Sequence, residues 1–479
     1  MGPSSSAGRT RRNPAEGPPV PGGSGGLFQR KAVRPCRVPR DFPRGFPFPR
    51  PPRGGLWVAR LADLRFPSLR FPGLPVTRDN PDARPVLTVI RGTYQANLPE
   101  LTIYARLADQ GFAPELLGAR NTAYRDEEVG MPVRRLATPR ITGRLSQTLV
   151  GGYLIGRVSP YRYLAEYLRG FDRAVERSTI LSPVDLGHPT SYQAVAHRPR
   201  KKVVVQCWDN IPFNWPTDRP LARHYEAVLE QADLFLAFSK MADWALVREG
   251  VSPQRRFQVY CGLDVRRHRP PQAEERDASR RALGVDPGTV VVTFVGRLFH
   301  GKGIFTLLEA WPEVDARFRL FLVGSGPERR RAEIRARQLG VEERVRFLGP
   351  VPHAQLQTQV LWGSDLFVMP SLSNPQWREQ LPQTVVEAMA SGLPVIASAS
   401  GSMAETVKDG ETGLLLPPDL PSVWAEAVNG LGADAEKRRR LGEAGRRAVE
   451  RSHDAERNAR ALGEVLWRRV LGQAPPGAP

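Results

Sequence analysis

The sequence predicts an α/β protein built from two doubly wound parallel sheets in series, facing each other across a cleft. Three observations carry this reading. Short continuous apolar runs alternate with helical stretches, as strands buried on both faces require. The pattern begins near Pro85, passes a polar, turn-rich link at 282–289 ("ALGVDPGT") and starts again. The chain has 479 residues, which suits two or three domains at roughly 100–200 residues each.

The elements follow in order. "PVLTVI" (85–90) is the first buried strand, and "LPELTIYARLADQG" is a helix stopped by Gly111. "PELLGA" is a second strand, followed by "KVVVQCW" (202–208), "DLFLAFS" (233–239) and "RFQVYCG" (256–262). Strands separated by helices give a parallel, doubly wound sheet. After the link comes the strand "VVVTFVG", then "GIFTLLEAW", with Ile304, Leu307, Leu308 and Trp311 on one helical face. "RFRLFLVG", "RVRFLG", "DLFVMPS" and "LPVIAS" are four further strands. The last helical stretch, "DAERNARALGEVLWRRVLG", places Ala459, Leu462, Leu466 and Val470 on one face and is expected to cross back onto the first domain. The expected division is a disordered segment over 1–84, a first domain over 85–265 completed by 454–471, a second over 266–453, and a tail over 472–479. Ligands of such sheets bind beyond the carboxyl ends of the strands, so two facing sheets share one cleft.

Residues 1–84 hold sixteen of the 46 prolines, which breaks both ladders and helices. They carry sixteen Lys/Arg against five Asp/Glu, or +11 of the net +20, leaving +9 for the rest. Arginine outnumbers lysine 62 to 7, the bias of a GC-rich gene, so this segment reads as no functional domain. The alternative is a basic arm making peripheral contact with an anionic membrane. A nucleic-acid partner is not expected, because no basic–aromatic interleaving or known module appears. No run of about 18 apolar residues suggests a membrane span, and no apolar core of a secretory signal opens the chain. Cys36, Cys207 and Cys261 are scattered, with neither disulfide-framework nor zinc spacing. A reducing cytoplasm fits that usage.

The stretch "SLSNPQWREQLPQTVVEAMASGLPVIAS" is the most informative. Glu379 and Glu387 stand eight positions apart, and Pro382 opens a helix expected to run to Ser391, with Gly392 as its stop. The helix N-terminus offers free N–H groups and a partial positive charge, a seat for a diphosphate. Glu387 lies in the apolar run "VVEAMA" and needs a partner if buried; ribose hydroxyls would serve. In "FVGRLFHGKG", Arg297 and Lys302 follow a strand end, where a guanidinium and an ammonium can hold phosphate oxygens. "FLVGSGPERR" lacks the third glycine of a dinucleotide fingerprint and reads as a tight strand–helix connection.

Residues 289–432 resemble the donor domain of the GT-B glycosyltransferases of the family-4 type, retaining enzymes also described as glycosyl transferases group 1. The matching words are "VVTFVGRLFHGKGIFTLLEAW", "LFLVGSGPER", "VRFLGPVPHAQL", "DLFVMPSLS", "EQLPQTVVEAMASGLPVIAS" and "GSMAETVKDGETGLLLPP", and the entry "VYCGLDVRRHRP" matches the family's Gly-x-Asp at Gly262 and Asp264. The resemblance implies the GT-B fold and metal-independent transfer of a sugar from a nucleotide-diphosphate sugar. The acceptor it leaves open: carbohydrate, lipid or small molecule. It implies that Arg297 and Lys302 grip the diphosphate and that Glu379 faces the donor sugar nearest the chemistry. Leu381 and Pro382 would bring backbone to the phosphate, Glu387 would take the ribose, and backbone at Val351 to His353 would line the base. No cofactor is implied beyond the nucleotide-sugar substrate, and no metal site. The first domain departs from the family. Its first loop, "RGTYQANLPE", has one glycine, Gly92, where the family is glycine-rich. "CWDNIPFNW" stands where a histidine is often found, with Asp209 and Asn210 as acceptor-side candidates or as a loop closed by an Asx-turn.

Two other functions compete. A glycoside phosphorylase would turn over sugar 1-phosphate without a nucleotide, and a hydrolase would need two carboxylates flanking one bond. A non-catalytic GT-B binding protein would be expected to lack one of Arg297, Lys302, Glu379 or Glu387; all four are present.

Overall fold

The computed structural model describes residues 84–477, apart from 93–97, 121–128, 139–166, 215–218 and 376. Readings of residues 1–83 and of the final two residues lie outside it. The described residues fall within one compact unit, Asp79–Pro479.

Seven parallel strands form the first sheet: β1 (Val86–Gly92), β2 (Ala113–Ala119), β3 (Val133–Leu136), β4 (Ile180–Pro183), β5 (Lys202–Cys207), β6 (Leu234–Ala237) and β7 (Arg256–Gln258). They lie in the order β3-β2-β1-β4-β5-β6-β7. Six parallel strands form the second: β8 (Val290–Val295), β9 (Phe318–Val323), β10 (Val345–Gly349), β11 (Leu366–Met369), β12 (Val395–Ser398) and β13 (Leu414–Leu416), ordered β10-β9-β8-β11-β12-β13. In each sheet the order reverses once, at β1/β4 and at β8/β11. Such switch points are where α/β sheets open a crevice for ligands.

The apolar runs explain the central strands. Val291, Val292 and Phe294 of β8 and Phe235 and Leu236 of β6 are completely buried, as two-sided packing demands. Helix Leu98–Ala105 follows β1 and passes into a tighter turn, Arg106–Gln110, closed by Gly111. Helix Ile304–Ala310 buries Ile304, Leu307 and Leu308, and Trp311 follows them into the core. The expected strand over 256–262 is shorter, β7 ending at Gln258. The sequence reading missed β3, β4 and β13. "VRRL" is half-buried at the sheet edge, "ILSP" spans only four residues and ends in proline, and "LLL" is a three-residue edge strand. None has the length or alternation that marks a strand.

The C-terminal helix Ala455–Val465 continues as a wider turn over Leu466–Leu471 and packs on the first sheet's helical layer, as expected. Ala459, Leu462, Leu466 and Val470 join the apolar cluster that contains Val89, Leu101 and Phe112. Trp467 stacks on Phe112 at 4.9 Å and donates from Nε1 to the Gln110 carbonyl at 2.9 Å.

Candidate active site

The site is assembled from the loops that leave the two switch points. Arg297 follows β8, on a loop braced by the next strand–helix connection. Gly296 N donates to Val323 O at 3.0 Å and Leu298 N to Ser325 O at 2.8 Å. The Gly-Ser-Gly turn permits this closeness: a Cβ on Gly324 would lie 2.0 Å from the Gly296 carbonyl oxygen, and one on Gly326 would lie 2.2 Å from that of Leu298. Only glycine allows backbone to approach backbone so closely. The tight connection read from "FLVGSGPERR" therefore fixes the Arg297 loop. Arg297 itself is exposed, its guanidinium 5.1 Å from the Phe299 ring centre.

Lys302 and Glu379, 77 positions apart in the chain, meet here. Lys302 Nζ donates to both carboxylate oxygens of Glu379, at 2.9 and 2.7 Å. Ser371 Oγ, beyond the end of β11, donates to Oε2 at 2.6 Å. Trp377 packs over the ammonium at 5.8 Å and meets Phe299 edge-on at 5.3 Å. Glu379 is buried, so its charge is held by one cation and one hydroxyl rather than by water. Its backbone is held as firmly. Ser402 N donates to the Glu379 carbonyl at 2.9 Å. Gly401, with φ +53°, would put a Cβ 2.0 Å from that same oxygen.

The helix after Glu379 spans Gln383–Ala390. This corrects the expected start by one residue: Pro382 (φ −81°, ψ 63°) is the flanking cap, not the first helical residue. Leu381 reaches away from this domain and packs against the apolar cluster of the first sheet. Glu387 is buried in the helix, and its partner in this structure is a protein group: His353 Nε2 lies 3.1 Å from Oε1. The sequence reading gave Glu387 to a ribose and used only the backbone near His353. Val351, half-buried, packs against the second domain's core. Thus Lys302 and Glu379 meet before the helix, with Leu381 and Pro382 between them and its first residue, while His353 meets Glu387 about one helical turn into it; Arg297 stays on the β8 loop and Val351 against the core.

On the first domain, the two candidates after β5 separate. Asp209 closes its own loop, accepting from Ile211 N and Asn214 Nδ2 at 3.0 Å each, the Asx-turn arrangement. Burial raises its carboxyl above the usual range. Asn210 is fully buried and crosses the cleft, donating from Nδ2 to the Glu379 carbonyl at 2.7 Å. A second bridge comes from Glu405, whose carboxylate accepts from Lys240 N at 2.7 Å and Met241 N at 2.8 Å, at the head of helix Lys240–Arg248. Gly92 ends β1 opposite Gly118, where the register slips by one residue.

Residues not singled out in the sequence also gather there. Asp185, beyond β4, accepts from Trp208 N at 2.9 Å, and burial pushes its carboxyl up to about 7. His188 caps helix Pro189–Val195, its Nδ1 accepting from Thr190 N at 3.3 Å. Arg91 is completely buried at the end of β1, with Glu100 3.6 Å away. The available signal was a lone arginine closing an apolar run, which in one sequence looks like the strand's exit. Among the described residues, no three histidine, cysteine, aspartate or glutamate side chains come together as a metal-ligating group. None of the described helices is long and apolar enough to cross a membrane.

Residues 275–448 match the family described as Glycosyl transferases group 1. That stretch holds Arg297, Lys302, Val351, His353, Glu379, Leu381, Pro382 and Glu387, but none of the first-domain groups. The D-inositol 3-phosphate glycosyltransferase of Corynebacterium glutamicum is 38% identical over 200 residues, 40% of this chain and 46% of its own length. That of Nocardia farcinica is 36% identical over 268 residues, 52% of this chain and 57% of its own. The chain thus spans about half the length of the curated relatives it matches. Anabaena HepE, solved in complex with UDP-glucose, superposes with a TM-score of 0.65 at 20% identity, covering 80% of this chain and 98% of its own. Sucrose-phosphate synthase from Thermosynechococcus elongatus gives 0.64 at 22%, covering 81% and 100%. These likenesses show the fold, which is GT-B.

Proposed function

We propose that the protein is a retaining glycosyltransferase that moves a sugar from a uridine-diphosphate sugar to a small hydroxylated acceptor, without a metal ion. One observation carries the reading: Lys302, Glu379 and Ser371 form a buried charged cluster at the β8/β11 switch point, directly before helix Gln383–Ala390. The helix head and Lys302, together with Arg297 of the same β8 loop, supply positive potential where the charge of a departing diphosphate grows. Glu379 is then released from Lys302 toward the sugar. Glu387 and His353, deeper along the helix, suit a ribose and its base. The nucleotide is taken as uridine because HepE was solved with UDP-glucose, and the small acceptor follows the inositol phosphate in the relatives' names. A hydrolase, which needs two carboxylates flanking one bond, is disfavoured because Glu387, the second carboxylate of this segment, is engaged by His353.

The test offers the purified protein UDP-, GDP- and ADP-sugars and measures released nucleoside diphosphate, with and without polyol acceptors. UDP release with an anomerically retained product is expected, and Glu379→Gln should lower turnover by about 10²-fold or more while UDP still binds. Turnover of a sugar 1-phosphate without nucleotide would replace this reading with the phosphorylase. Undiminished transfer by Glu379→Gln would remove the role given to Glu379.

A further inference from the structure

We propose that the crevice at the β1/β4 switch point is a subsite for an anionic oxygen group of the acceptor, a phosphate or a carboxylate, held by the guanidinium of Arg91. The proposal rests on the transferase reading above and names the acceptor chemistry it would serve.

Arg91 is the penultimate residue of β1 and is completely buried. Among the described residues, none of its nitrogens, Nε, Nη1 or Nη2, has a hydrogen-bond acceptor. Glu100 stands 3.6 Å from Nη1, close enough to offset charge but not to fill the donors. The guanidinium carbon of Arg91 lies 5.4 Å from the Trp208 ring centre. A guanidinium carries five N–H donors in a planar fork shaped for a carboxylate or phosphate. Removing it from water with those donors empty is among the costliest arrangements a fold can hold. Where one persists, an outside acceptor is the natural complement.

A second observation points the same way. Trp208 Nε1, beside Arg91, is also buried without an acceptor among the described residues, so the two side chains present only donors. Gln206 and Asn210, along the same segment, each bury a carbonyl oxygen that meets no donor among the described residues. The other end of each is tied: Gln206 Nε2 donates to Ser182 O at 2.7 Å and Asn210 Nδ2 to Glu379 O at 2.7 Å. Unfilled donors beside unfilled acceptors match a polyol that bears one anionic substituent. The position suits an acceptor, since Asn210 touches the Glu379 loop and Leu381 of that loop packs on the cluster containing Trp208. Because Arg91 is occluded, entry of the anion requires its cover, Trp208 included, to shift.

The experiment compares wild type with Arg91→Met, Arg91→Lys and the charge-neutral pair Arg91→Met/Glu100→Gln, the last guarding against a fold disturbed by loss of the Arg91–Glu100 ion pair alone. Transfer from UDP-glucose is measured to inositol 3-phosphate and glucose 6-phosphate, to glucuronate, and to neutral inositol and glucose. The expected result is that wild type favours one anionic class. Arg91→Met and the pair variant should raise KM for that class roughly 30-fold or more, leaving UDP affinity within about twofold. Preference for the phosphates over glucuronate, or the reverse, decides between the two anions. Neutral acceptors used as well as charged ones, or a KM that ignores Arg91→Met, would overturn the proposal. If UDP neither binds nor is released, the transferase reading fails by itself. The subsite is then judged by thermal shift with inorganic phosphate: a stabilisation lost in the pair variant supports it, and no stabilisation of wild type overturns it.

Discussion

Replacing Lys302 by methionine keeps the length of the side chain and removes the ammonium that both oxygens of Glu379 hold at 2.9 and 2.7 Å. At about 2.8 Å and an effective dielectric of about 20, the gross attraction is about 6 kcal/mol. The net loss is smaller, because burying the pair already costs desolvation. Ser371 still donates to Glu379 at 2.6 Å. A loss of about 3 kcal/mol is expected, the low end for a buried pair that loses one partner, because the Ser371 hydroxyl remains. The decisive measurement is a double-mutant cycle with Glu379→Gln, by urea unfolding at pH 7. The pair variant should be more stable than the sum of the single losses predicts, by at least about 1.5 kcal/mol. Stabilisation by UDP should fall sharply in Lys302→Met, since the same ammonium is assigned to the diphosphate. Additivity within about 0.5 kcal/mol together with unchanged stabilisation by UDP would refute both the ion pair's weight and its assigned exchange.

Two further expectations can be checked with the same protein. Gly401→Ala meets both a left-handed backbone at φ +53° and a carbonyl oxygen 2.0 Å from the new Cβ; it should cost about 1–3 kcal/mol and lower turnover more than UDP affinity, since the atom displaced belongs to Glu379. Equal turnover in a folded Gly401→Ala protein would show that the position of the Glu379 backbone does not matter. His453 is buried against Tyr260 with ring centres 4.5 Å apart, and burial lowers its pKa to about 4. Its folded value lies below the unfolded one near 6.5, so its stability contribution is present above that value and is lost as pH falls toward 4, by up to about 3 kcal/mol. His453→Phe should flatten the slope of unfolding free energy between pH 6.5 and 4; an unchanged slope would assign that acid sensitivity elsewhere.

Much of the second domain is legible because its chemistry is local. Glu379 and Glu387 lie eight positions apart across one loop and one helix, and Pro382 and Gly392 bracket that helix from the sequence alone. Buried parallel strands such as β8 announce themselves as nearly continuous apolar runs, because both faces are packed; its buried Thr293 is paired with the Ser364 hydroxyl at 2.7 Å. The C-terminal crossing was readable from the spacing of Ala459, Leu462, Leu466 and Val470, which buries one stripe on a layer it must find.

Tertiary structure decided what no local pattern encodes. Lys302 and Glu379 are joined over 77 positions, and Asn210 meets the Glu379 carbonyl over 169. Either residue by itself reads as an ordinary polar side chain. The strand order placed β1 beside β4 and β8 beside β11, and so set which loops face the cleft. It also separated Asp209, which satisfies its own loop, from its neighbour Asn210, which does not. Arg91 shows the difference most plainly. In the sequence it ends an apolar run like any residue leaving a strand; in the fold it is a buried cation whose donors meet no acceptor among the described residues. Composition and periodicity record what a residue is and how often it recurs, whereas burial and pairing depend on which distant segments close over it.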